Sequence, residues 1–81
     1  MTIKAIILCK LGMSVINTVI EALKEITQIK TVMSLTGDYD ILCEVEVDTS
    51  EELFEIFANK IDLIEGIVAS NTHIIMKSWE K

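Results

Sequence analysis

The sequence predicts a single α+β domain in which two helices cover one face of a four-stranded antiparallel sheet. Three observations carry that expectation. The chain has 81 residues, 51% of them hydrophobic; apolar residues alternate at every second position in four stretches; and they recur at helical spacing in two others. Eighty-one residues can fill one core but not two, so residues 1–81 read as one domain.

The first element, Thr2 to Lys10, is isoleucine-rich, with Ile3, Ala5, Ile7 and Cys9 facing one way and Ile6 and Leu8 the other. Both faces are apolar, which marks a central strand. Gly12 breaks it, and Ser14 is a suitable N-cap for a helix running from Val15 to about Thr27, whose stripe is Ile16, Val19, Ile20, Leu23 and Ile26. Alternation returns from Ile29 to Thr36 and, beyond Gly37 and Asp38, in "YDILCEVEV", so the two stretches form a hairpin. Thr49 and Glu52 fit a capping box ahead of a second stripe, Leu53, Ile56, Phe57, Ile61 and Ile64. Gly66 ends that helix, and Ile67 to Trp79 alternates as the last strand.

The order strand, helix, strand, strand, helix, strand is the ferredoxin-like split motif, with the first and third strands as central neighbours. The sheet's other face carries no helix. It bears apolar residues of the first strand, Leu42, and either Val32 or Met33. Such a face is expected to pack against a second copy of the chain.

Composition excludes several functions. The net charge is -6, with thirteen acids, seven lysines and no arginine, a balance that repels nucleic acid. Without arginine an anionic ligand must be held by backbone N–H groups or lysine. Cys9 and Cys43 lie far apart in apolar runs and read as reduced core thiols of a cytoplasmic protein. The apolar opening stretch is too short to span a bilayer. No metal set or cofactor motif stands out. His73 is the only histidine and sits within a strand, and Asp38 and Asp40 lack the other ligands of a calcium loop. Phe54, Phe57 and Trp79 read as packing residues, and Glu44 and Glu46 as the border of an interface or solvent.

Topology gathers "LGMS" (Leu11 to Ser14), "TGDYD" (Thr36 to Asp40) and "IEG" (Ile64 to Gly66) at one edge of the sheet. There, backbone N–H groups of a helix start and a glycine turn can hold a carboxylate, while Asp38 or Asp40 can accept an ammonium group. The pair suits a free amino acid. From pattern alone, an ordinary glycine-aspartate turn explains the same residues.

The hairpin "TGDYD", the strand "ILCEVEV", the acidic helix "SEELFEIFANKI", the turn "IEGI" and the closing "SNTHIIMKSW" resemble the ligand-binding domain of the Lrp/AsnC regulators of amino-acid metabolism. The resemblance implies a non-enzymatic module that dimerises through its sheet, assembles into rings such as octamers, and binds an amino-acid effector between dimers near the hairpin. Carried residue by residue, it puts Gly37, Asp38, Tyr39 and Asp40 in the pocket, with Ser70 and Thr72 as further polar positions. Regulators of this family carry a helix-turn-helix domain, and this sequence begins directly with the first strand at Thr2. If Met1 is the true start, a stand-alone form able to sense an amino acid or to join full-length relatives is expected, the alternative being a shortened piece of such a regulator. The same topology also serves small dimeric α+β barrel enzymes of the cofactor-free monooxygenase type, with His73 or Asn71 as polar groups; an enclosed pocket within one subunit would favour that alternative.

Overall fold

The computed structural model describes residues 2–12 and 15–81. It contains β1 (Ile3–Leu11), α1 (Ile16–Lys24), β2 (Ile29–Ser34), β3 (Ile41–Val47), α2 (Ser50–Ile56) with a π-helical turn (Phe57–Ile61), and β4 (Ile67–Ile74). The strands form one antiparallel sheet in the order β2-β3-β1-β4, as the split motif requires. The molecule is only 18 Å through its thinnest direction, room for one sheet and one layer of helices. The second sheet face is therefore bare.

Register explains which side chains reach the core. Ile7 opposes Cys43 and Cys9 opposes Ile41, so Ala5, Ile7, Cys9, Ile41, Cys43, Val45 and Val47 all point toward the helices and are buried. Val19, Leu23 and Ile26 of the first helical region and Leu53, Ile56 and Ile61 of the second close over them. The two thiols are free and buried. Their mutual hydrogen bond, followed by burial, pushes the Cys43 thiol far above its ordinary range, so it stays protonated.

The choice between Val32 and Met33 is settled by a bulge. Ile29 opposes Val45 while Thr31 opposes Glu44, so Lys30 is an extra residue in β2. Ile29 and Val32, three apart, both pack against the core, and Met33 opposes Leu42 on the open face.

α2 starts as its sequence indicates. The Glu52 N–H donates to Thr49 Oγ1 at 3.0 Å, and Glu52 Oε1 accepts from the N–H of Asp48, one residue before the cap, at 2.9 Å. The π turn follows because Ile56 and Ile61 are five residues apart and both fully buried. Regular α spacing would aim Lys60 at the core instead, and the i→i+5 bond from Asp62 N–H to Phe57 O marks the adjustment.

Four expectations are corrected. α1 ends at Lys24, although Ile26 still packs inward. β2 ends at Ser34 rather than Thr36. β4 ends at Ile74, not Trp79, because its partner β1 runs out: the Ile75 N–H donates to Lys4 O, and no strand continues beside residues 76–79. Phe54 and Trp79, read as packing residues, are 68% and 82% exposed. The proposed cap Ser14 lies outside the described residues; Val15 precedes α1 and makes no side-chain cap bond. Among the described residues, no helix is long and apolar enough to cross a membrane.

Candidate functional site

The β2–β3 connection, residues 35–40, is closed by the Leu35 N–H donating to Asp40 O at 2.8 Å. Gly37 takes φ +104°, a conformation that side-chain-bearing residues rarely adopt, and nothing lies within 4 Å of where a Cβ would sit. The turn thus needs glycine for its backbone angle and leaves the space beside it open.

Asp40 ties this turn to the end of β1. Its N–H donates to Cys9 O at 2.9 Å, a rung of the ladder. The next donor along β1, the Leu11 N–H, has no β3 backbone opposite because the chain turns away, and Asp40 Oδ2 accepts it at 2.7 Å. The carboxylate replaces the missing rung, a charge-assisted bond that is stronger than a neutral one. Its anchor sits where β1 slips against β4 between Lys10 and Leu11.

Lys10 Nζ donates to Asp38 O at 3.2 Å, which brings an ammonium group over the turn. Tyr39 spans β1: its hydroxyl accepts from Asn71 Nδ2, and Asn71 opposes Leu8 on the open face. Among the described residues, no hydrogen bond engages the N–H groups of Gly37, Asp38 and Tyr39. The turn therefore offers free N–H donors, a lysine and two carboxylates within one exposed corner. That combination can meet both ends of a zwitterion.

The corner also gathers the other predicted segment. The Gly12 N–H donates to Gly66 O at 2.9 Å, and a Cβ on Gly66 would fall 2.7 Å from a Val15 methyl, so the 64–66 turn packs tightly beside the start of α1. Residues 13 and 14 of "LGMS" lie outside the described residues.

Gly37, Asp38, Tyr39 and Asp40 are thus brought together, whereas Ser70 and Thr72 are not with them. These two oppose Cys9 and Ile7 on the helix side of β4. Ser70 Oγ donates to Asp62 Oδ1 at 3.3 Å, and Thr72 Oγ1 is buried without a partner. With Ser50, Leu53, Phe54, Phe57, Asn71 and Ile74 they line an open cleft of about 410 Å³ between α2 and β4, which meets the corner only at Asn71. Lys10 joins the corner without having been singled out, and Asn71, named only as a polar group of the alternative enzyme reading, joins it too. Two-residue alternation aligns Lys10 with Leu8 on the open face, a signal for the first; the Tyr39–Asn71 bond links residues 32 apart and has no local signature. His73 lies exposed on the same face, opposite Ile6. Among the described residues there is no cluster of three or more metal-ligating side chains.

Residues 4–81 match the family model of the Lrp/AsnC ligand binding domain. Two curated relatives are similar: homocitrate synthase of Sulfurisphaera tokodaii, 36% identical over 76 residues, and an uncharacterized helix-turn-helix-type transcriptional regulator of Pyrococcus furiosus, 33% identical over 66. The chain matches 16% and 45% of their respective lengths, using 93% and 79% of its own. Among solved structures, TTHA0845 of Thermus thermophilus is similar over 98% of this chain and 99% of that one, with 26% identity and a TM-score of 0.89. The Neisseria meningitidis regulator NMB0573, solved as an L-Met complex, shares the fold at TM-score 0.89 and 11% identity, over 98% of this chain and 53% of that one. The chain belongs to the Lrp/AsnC ligand-binding domain family.

Proposed function

We propose that this Lrp/AsnC-type domain is a non-enzymatic regulatory module that binds a free amino acid at the corner built by the β2–β3 turn. The observation that carries the reading is the family match across residues 4–81. The corner supports it with the right chemistry. Free N–H groups at Gly37, Asp38 and Tyr39, together with Lys10, receive the carboxylate, and Asp38 with the remaining oxygen of Asp40 receives the ammonium group. The Neisseria relative, solved with L-Met, supports an amino acid as the ligand class. Ser70 and Thr72 take part only if a neighbouring copy brings their cleft to the ligand.

Dimers form through the open face, where Ile6, Leu8, Leu42 and Met33 lie, and join into larger rings, an octamer being the expected size. An effector held between dimers then couples ligand level to assembly. This domain itself, with a net charge of -6 and no arginine, does not read nucleic acid, and mixed assembly with full-length Lrp/AsnC regulators is one route by which it would influence one that does.

Thermal shift and calorimetry with each of the twenty amino acids test the sensing role. A ligand present at 100 times its dissociation constant stabilises the fold by about 2.7 kcal/mol, a shift of roughly 10 °C or more for a domain of this size. No response to any of them overturns it. A second reading is favoured by the 36% identity to a segment of homocitrate synthase: the module serves an enzyme of amino-acid metabolism instead of a DNA-binding regulator. Affinity capture from the source cell separates the two, since the first reading requires helix-turn-helix relatives among the bound proteins and the second an enzyme.

A further inference from the structure

Beyond Ile74 the chain leaves the fold carrying the two most exposed large apolar side chains among the described residues, Met76 at 92% and Trp79 at 82%. The Ile75 N–H bond to Lys4 O at 2.8 Å holds the departing segment in line with β4, so it points away from its own sheet. Folding back would need a reversal within residues 75–79, where the only turn-favouring residue is Ser78, the weakest of that group. The same molecule has a second unpartnered apolar surface, the open face with Ile6, Leu8, Leu42 and Met33.

We propose that residues 75–81 form an exchanged arm: in the dimer, each arm lies across the open sheet face of the second copy, with Trp79 as its anchor. Geometry and charge agree. In an extended segment Ile75, Lys77 and Trp79 share one side, the side of the open face, since Ile75 follows the alternation of Asn71 and His73. That face displays Glu44 and, opposite Lys4, Glu46, and the only ion pair among the described residues is the remote Lys24–Glu21. The segment brings Lys77 and Lys81 against one acid, Glu80. A two-fold axis makes the exchange reciprocal, so both arms and both faces are covered at once. Aromatic anchors of this kind dominate interface energetics.

The arm rests on the reading that the open face is the dimer interface, and the test separates the two. Trp79 is the only tryptophan, so its emission reports the arm alone. Sedimentation velocity on the full chain across a dilution series gives the mass, and emission with quencher access gives the environment of Trp79 at the same concentrations. The expected result is a blue-shifted, quencher-protected Trp79 in the dimer that becomes exposed in step with dissociation, and a dimer dissociation constant raised about tenfold or more by Trp79→Ala. Circular dichroism of that variant matching the parent shows an intact fold, as expected for a side chain outside the core. A dimer whose Trp79 stays exposed overturns the arm and leaves the sheet interface standing. A monomer at all concentrations overturns both. A protected Trp79 in a monomer shows the arm on its own chain and also overturns the exchange.

Discussion

Replacing Asp40 separates its structural bond from its charge. Asp40→Ala removes the acceptor that meets the Leu11 N–H at 2.7 Å and leaves that donor part-buried with no ladder partner. A hydrogen bond to a charged group contributes about 1.5–3 kcal/mol, so we expect a loss of about 2 kcal/mol. For a chain whose whole stability is on the order of 4–12 kcal/mol this is a large fraction. Asp40→Asn keeps an oxygen in the same place and should cost about 1 kcal/mol or less. Urea unfolding followed by circular dichroism reads both; with a slope of about 1 kcal/mol per molar, the alanine variant unfolds roughly 2 M earlier. An alanine variant within about 0.5 kcal/mol of the parent, the scatter of neutral surface changes, would refute the rung. An asparagine variant as unstable as the alanine one would show that charge, not the acceptor, holds the corner. Asp40→Asn is for this reason the sharper probe of ligand binding: it removes the charge offered to an ammonium group while the turn stays anchored. Loss of affinity in a folded Asp40→Asn protein implicates the carboxylate directly.

Two further predictions use the same assay. Gly66→Ala meets a Val15 methyl at 2.7 Å and a Val19 methyl at 3.2 Å from a φ of +105°, and should cost about 3 kcal/mol, whereas Gly37→Ala has the same backbone problem in open space and should cost about 1–2 kcal/mol; equal losses would mean that crowding at Gly66 is relieved by movement of α1. The Asp48 N–H and then the Gln28 amide hold Glu52 below the usual carboxylate range. A depressed carboxyl stabilises the fold above its unfolded value and loses that contribution as pH falls through the carboxylate range, so Glu52→Gln should flatten the acid limb of stability against pH; an unchanged limb would assign acid sensitivity to other groups.

The fold was legible wherever local pattern and global topology agree. Apolar residues on both faces of β1 mark it as central, and handedness then sets β3 beside it, which the sheet order bears out. Three features were not legible, each for a reason outside local pattern. The bulge at Lys30 breaks the two-residue period, so no alternation can send both Ile29 and Val32 inward. The π turn exists because Ile56 and Ile61 compete for the same core, a tertiary demand that overrides α spacing. Residues 75–79 alternate like a strand, but a strand also needs a partner, and β1 begins at Ile3.

The corner shows the same division between local and distant information. Gly37 and Asp38 announce a turn by residue type alone, and the family resemblance added the expectation of a ligand there. What neither supplied is the role of Asp40, which depends on β1 slipping against β4 just where β3 begins to turn. One carboxylate oxygen completes the sheet, so in the proposed site the residue that would meet a ligand's ammonium group is also the one that fixes the turn in space. Ligand binding at Asp40 would then bear on the rung to Leu11, at the end of the central strand whose open face carries Ile6 and Leu8. A bound amino acid would thereby act on the end of a strand that contributes to the proposed dimer interface, a short physical route from effector to assembly.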